Sequence, residues 1–167
     1  MAGAGEFGAM TVTLRDAIRE MLASTPTMSL STCRDGRPWA ATVFFASGPD
    51  FGLYFVSDRR TRHAEDIAAG SPVAATVTPE CAHWHDVRGL QIEGRAEVLT
   101  GMSRLAGLKC FLSRFPDVRA LFEHPRGDDE QTIAERLRSA NLYCLAPSRI
   151  RLIDNSRGFG FREELRL

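Results

Sequence analysis

A chain of 167 residues with 21 basic and 21 acidic side chains has the length for one domain with a full core, and no net charge to draw it to nucleic acid or an anionic membrane. No apolar run is long enough to span a bilayer. Cys33, Cys81, Cys110 and Cys144 form no CxxC pair and follow no secretory signal, so they read as reduced, mostly buried thiols of a soluble cytoplasmic protein.

The opening MAGAGEFGA, residues 1–9, lacks periodicity and reads as a vector-derived leader, leaving a single domain over residues 10–167. Thr13 with Asp16 three residues on predicts a helix start, with Leu14, Ile18, Met21 and Leu22 as its apolar stripe and an end near Ser24. Met28, Leu30 and Thr32 alternate with polar residues. The turn Arg34-Asp35-Gly36-Arg37-Pro38 then leads into a second strand from Trp39 to Phe45, a predicted hairpin. After the turn signal Ser47-Gly48-Pro49-Asp50 comes the apolar and aromatic strand Leu53 to Val56.

Ser57 and Asp58 break that strand, and a helix follows in which Ala64, Ile67 and Ala68 share a face before Gly70 and Pro72 end it. Thr61, Arg62 and His63 fall in its first turn, where unpaired backbone N–H groups attract phosphate. The competing reading is a solvated face, with Arg59 beside His63 and an ordinary exposed ion pair between Arg62 and Asp66.

Val73 to Val77 predict a short strand and Val87 to Leu99 a longer one, interrupted by Gly89 and Gly94 where a curved sheet suits a bulge. The stripe Leu105, Leu108, Phe111, Leu112 and Phe115 predicts a packing helix stopped by Pro116. Val118 to Phe122 add a short helical turn, HPRGDDE reads as a loop, and Ile133 to Leu137 belong to a charged helix. Two strands, Leu142 to Leu145 and Ile150 to Ile153, flank a turn at Ala146-Pro147-Ser148. Short strands interrupted by a few helices predict a mainly β fold, a closed or nearly closed antiparallel barrel.

Two further groups invite a functional reading. Cys81, His83 and His85 alternate, so an extended segment would point all three to one side, where they could ligate zinc or haem iron. No fourth ligand is assignable, and ordinary polar surface is the simpler account, so no metal is expected. Trp39 and Trp84 read as core or dimer contacts rather than ligand contacts. The glycine-flanked terminal loop Asn155, Ser156, Arg157, Phe159 has no evident structural need for its composition.

In their order, DGRPWAATVFF, YFVSDRRTRHAEDIAAGSPVAATV, VRGLQIEGRAEVL and PSRIRLIDNSRGFG resemble the FMN-binding split-barrel superfamily typified by pyridoxamine 5′-phosphate oxidase. The resemblance runs from about Thr13 to Phe161. It implies a six-stranded antiparallel split β-barrel flanked by α-helices, in a homodimer with FMN in clefts between subunits. Thr61, Arg62 and His63 would match the Ser-Arg-Lys that grips the FMN phosphate. Phe55, Val56 and Ser57 would pass beside the flavin, Thr42, Val43 and Phe44 would line its ring through their backbone, and Gln91 and Asn155 would be polar contacts.

The chain also departs from the pattern: Ala41 and Ala46 stand where the oxidases carry an arginine and a lysine, and His63 replaces lysine. Arg59 or Arg60 would have to compensate. With no match to the basic residues that hold the substrate phosphate, vitamin B6 oxidation is not expected. The implied function is an FMN-dependent oxidoreductase or flavin reductase acting on a small molecule, with NADH or NADPH as a candidate donor. A non-catalytic flavin carrier or sensor and a haem-binding split barrel are the alternatives, and no catalytic acid or base is assignable.

Overall fold

The computed structural model describes residues 12–167, so the expected leader at residues 1–9 lies outside the described residues. Helix α1 (Leu14–Ser24) starts where predicted: the Thr13 hydroxyl accepts the Asp16 N–H at 3.2 Å, and Ile18, Met21 and Leu22 are buried. Strands β1 (Thr27–Arg34) and β2 (Arg37–Ser47) form the hairpin. Its two-residue turn uses Asp35 and Gly36, both at positive φ, the geometry that matches the twist of paired strands. Then follow β3 (Leu53–Ser57), α2 (Arg62–Ala68), β4 (Val73–Val77) and β5 (Arg88–Val98).

Three helices come next, α3 (Gly101–Arg114), α4 (Pro116–Glu123) and α5 (Gly127–Ser139), before β6 (Asn141–Asp154) and β7 (Arg162–Arg166). Part of the loop expected at HPRGDDE is instead the first turn of α5, where Asp128, Asp129 and Glu130 oppose the positive helix end. The expected turn at Ala146-Pro147-Ser148 is likewise part of one long strand. It survives as an irregularity: Glu93 pairs with Arg149 but Gly94 with Pro147, so Ser148 is bulged out.

All strand pairs are antiparallel, in the order β3-β2-β1-β4-β5-β6-β7, and β3 also pairs with β6. Six strands therefore close into a ring with β7 as an appendage, the expected split barrel. β6 can serve three neighbours because it is long. Its Asn141–Leu145 stretch pairs with β3, its Arg149–Ile153 stretch with β7, and its other edge with β5 throughout.

Inward positions of the ring, among them Leu30, Phe45, Phe55, Leu90, Tyr143 and Leu152, form one core. α1 inserts its apolar stripe into that core, and α2 buries Ala64 and Ile67 where β1 carries Thr32 and Arg34. The ring is split on one side. β2 and β3 pair only from Phe45↔Phe55 to Ser47↔Leu53, while Thr42 to Phe44 pair with β1 alone and Val56 and Ser57 with β6 alone.

Two expectations of burial within the chain fail at the surface. Trp39 and Trp84 are 44% and 66% exposed in the single chain, so neither belongs to its core. Cys33 and Cys81 are exposed, with only Cys110 and Cys144 half-buried, because Cys33 points outward near the hairpin turn and Cys81 lies in the loop before β5. Among the described residues no helix is long and apolar enough to cross a membrane.

Candidate functional site

The chain leaves β3 at Ser57, turns through Asp58 to Arg60, and enters α2 beside the split. Three polar side chains converge there. Ser57 Oγ lies 2.7 Å from His63 Nε2, and Thr61 Oγ1 lies 3.1 Å from each of them. The Thr61 hydroxyl also donates to the Asp58 carbonyl at 2.9 Å, which fixes the turn. His63 is buried, and that desolvation lowers its pKa below the usual imidazole value, against a smaller opposing effect of Asp66. It is a neutral hydrogen-bonding partner at neutral pH rather than a lysine-like cation.

The surface ion pair considered for Arg62 and Asp66 does not form. Asp66 is fully buried and faces inward, where Thr32 Oγ1 donates to its carboxylate at 2.7 Å. Arg34 Nε lies 3.1 Å from the other carboxylate oxygen, as an ion pair too oblique for a hydrogen bond. Asp66 thus fastens α2 to β1. With only seven residues, α2 offers a weak helix end, so holding an anion would fall mainly to side chains.

The three arginines of the turn differ in what they have to offer. Arg60 forks onto Asp58, with its Nη2 2.7 Å from the carboxylate, and holds that carboxyl down at about 2. It is therefore already neutralised and does not supply the compensating charge. Arg59 is exposed. Arg62 reaches to β2: its Nη2 donates to the Arg37 carbonyl at 3.2 Å and its guanidinium carbon lies 4.9 Å from the centre of the Trp39 ring. Among the described residues no carboxylate forms an ion pair with Arg62.

Other predicted residues are placed less uniformly. Thr42 and Phe44 face outward on β2, with Phe44 edge-on to Phe115 at the junction of α3 and α4, while Val43 packs against the core. Phe55 and Ser57 are buried, and Phe55 stacks on Tyr143 inside the ring, so only Val56 of that trio is half-exposed. Gln91 lies on the outer face of β5, in a shallow depression of about 240 Å³ with Ser31, Thr76, Arg149 and Arg151. In the ring β1 and β4 separate that strand from β2, and β6 separates it from β3.

Asn155 is engaged internally. Its side chain donates to the Trp84 carbonyl at 2.8 Å and accepts the Gly160 N–H at 3.1 Å, tying the terminal loop to the 3-10 turn Trp84–Asp86. His83 and His85 stack in parallel with ring centres 5.4 Å apart. Among the described residues no three His, Cys, Asp or Glu side chains are placed to hold a metal ion.

The two alanines have structural reasons. Ala46 is 1% exposed and lies with Ser47, Cys110 and Arg114 under α3, so a lysine there would be driven into that helix. Ala41 points toward the core side of β2, opposite Leu30. A phosphate group fits Arg62 as the donor left free at the split, with fewer cations than the resemblance implies, since the Thr61 hydroxyl is committed to the Asp58 carbonyl. Sequence reasoning missed Arg37 and Trp39 as supports of Arg62, since they lie across the sheet and no spacing along the chain signals them.

A family profile described as pyridoxamine 5′-phosphate oxidase matches residues 14–129. Among curated relatives, the UPF0306 protein YhbP of Salmonella arizonae is 28% identical over 145 residues, covering 86% of this chain and 87% of its own. Among solved structures, a heme binding protein from Mycobacterium smegmatis superposes with a TM-score of 0.72 at 16% identity, covering 95% of this chain; the chain spans 60% of that protein's length. An FAD and heme binding protein from the same organism gives 0.65 at 17% identity, covering 94% of this chain and 83% of its own.

Proposed function

This chain belongs to the pyridoxamine 5′-phosphate oxidase family, and on that footing we propose that it binds FMN and acts as an oxidoreductase or flavin reductase on a small molecule. The observation that carries the reading is Arg62, a cation held at the split with no carboxylate to neutralise it among the described residues. Arg62 binds the phosphate, Thr61, Ser57 and His63 hold the turn that carries it, and the parted backbone of Thr42 to Phe44 lies along the flavin. When bound, FMN supplies hydride chemistry, and the protein supplies position and electrostatics.

The complete cleft needs a second copy. Gln91 lies on an outer face separated from the same chain's split by β6 on one side and by β4 and β1 on the other, and the outward residues Ser29, Thr42, Ala74 and Thr76 of β1, β2 and β4 are short enough for a partner's sheet to approach closely. A homodimer with shared sites accommodates both facts. Four unpaired cysteines suit a reducing cytoplasm.

A haem-binding reading is favoured by one observation, the exposed imidazoles of His83 and His85 around Trp84. A visible spectrum of the purified protein, followed by titration with FMN and separately with haem, tests both. Flavin absorption or saturable FMN binding, followed by NADH or NADPH turnover with an acceptor, is the expected result. FMN binding without turnover would indicate a flavin carrier or sensor. A Soret band with no flavin binding would overturn the reading in favour of haem.

A further inference from the structure

We propose that Trp39 is a positioning residue that holds Arg62 ready for the phosphate of the cofactor, an inference that rests on the split being the phosphate end of an FMN site. The guanidinium carbon of Arg62 sits 4.9 Å from the Trp39 ring centre, within the range of a cation–π contact. Its Nη2 is tethered to the Arg37 carbonyl at 3.2 Å on the same strand. Both supports are electrically neutral.

That neutrality sets Arg62 apart from the arginines held by carboxylates; Arg114 also has neutral partners, but its guanidinium is spent on three carbonyls at the end of α1. Arg34, Arg60, Arg149, Arg151 and Arg157 are each held by carboxylates: Asp66 for Arg34, Asp58 for Arg60, Glu93 and Glu164 for Arg149, Glu164 for Arg151 and Glu163 for Arg157. A carboxylate orients a guanidinium but also competes with an incoming anion. An aromatic face orients it and leaves the charge available. The geometry is also secured from below. Trp39 pairs across the sheet with Thr32, and the Thr32 hydroxyl holds Asp66 of α2, so one rung of β1 and β2 registers the tryptophan against the helix that carries Arg62.

Trp39 is 44% exposed in the single chain, at a position where the neighbouring β2 residues Ala40 and Ala41 are small. Core packing does not account for it. Its role in holding an unneutralised arginine does.

The test compares FMN and riboflavin titrations for the wild type, Trp39→Ala, Trp39→Phe, Arg62→Ala and the Trp39→Ala/Arg62→Ala double variant, with thermal melts as a check on folding. Trp39→Ala is expected to weaken FMN binding about three- to tenfold, the size of a partly exposed cation–π contact. Riboflavin, which lacks the phosphate, keeps its affinity; Trp39→Phe retains most of the FMN affinity; and Trp39→Ala adds little once Arg62 is gone. Unchanged FMN affinity in Trp39→Ala, or its full effect persisting in the Arg62→Ala background, overturns the proposal; the latter would mean direct contact with the flavin.

A second readout does not depend on flavin. In a Trp84→Phe background Trp39 is the remaining tryptophan, and inorganic phosphate or pyrophosphate is expected to change its emission only while Arg62 is present. If the wild type binds no FMN but this anion response occurs, the flavin reading fails and the role of Trp39 stands. If no anion response that depends on Arg62 occurs, the role of Trp39 fails.

Discussion

His63 is a buried imidazole whose Nε2 already meets two hydroxyls, and burial holds its pKa below the ordinary value of 6.5. Between the folded and the unfolded pKa the unfolded chain binds a proton that the folded chain does not, so stability falls as pH drops. The neutral form's contribution is complete above 6.5, is lost as the pH falls from there toward the folded pKa, and changes no further below it. Urea unfolding between about pH 7.5 and pH 5 is expected to reveal this slope in the wild type, and His63→Gln is expected to flatten it. An equal slope in both proteins would place the titration elsewhere. At this scale the sequence exposed the tripeptide Thr61-Arg62-His63 but not its electrostatics. Asp66 looks like a partner for Arg62 along the helix, yet it turns toward Thr32, 34 residues away. Arg60 looks free, yet it closes on Asp58 two residues back. Spacing identifies neighbours on an element; the fold decides which of them face each other.

Helix α1 ends without a basic residue in its last turn, and α3 supplies one. Arg114 donates to the Leu22, Ala23 and Thr25 carbonyls at 2.6, 2.9 and 2.7 Å, satisfying acceptors that the end of a helix leaves open. Its guanidinium also lies 4.9 Å from the Phe45 ring centre, and burial lowers its pKa from the ordinary arginine value. Arg114→Ala is expected to cost about 2 kcal/mol, because three carbonyls, two of them in part-buried bonds, lose a charged donor. Arg114→Lys should recover part of this. Chemical denaturation checks both, and a loss below about 0.5 kcal/mol for the alanine variant would mean that water replaces the clamp. The strands and helices themselves were largely legible, since alternation, caps and prolines act locally. Arg114 was not, because its partners are backbone carbonyls of another helix. The start of α5 was hidden as well: its Gly127-Asp128-Asp129-Glu130 opening has the composition of a loop, and only docking onto the remainder of the helix makes it a first turn.

Ring closure is a property of the whole molecule and depends on the bulge opposite Gly94. A Cβ at that position would lie 2.2 Å from the Ala146 carbonyl oxygen, a backbone atom that cannot swing aside. Gly94→Ala should therefore destabilise the protein by about 3 kcal/mol, measurable by denaturant titration, whereas wild-type stability in the variant would mean that the bulge shifts freely. The sequence marked Gly94 as a bulge and the overall pattern as a barrel. It could not show that Ala146-Pro147-Ser148 is the place where one continuous strand changes partners, since a turn and a bulge draw on the same residue types.

That exchange of partners also governs how the protein is made. Leu53 pairs with Leu145, so the free edge of β3 waits for β6 while β4, β5 and three helices are synthesised. A ribosome releases the chain from its amino end, and the strand that seals the ring emerges after the other five strands of the ring. Until then the nascent chain carries an unsealed sheet edge, the kind that joins neighbouring chains. Fast elongation through β6, or early shielding of that edge by a chaperone, would therefore raise the yield of soluble protein without altering one contact of the finished fold.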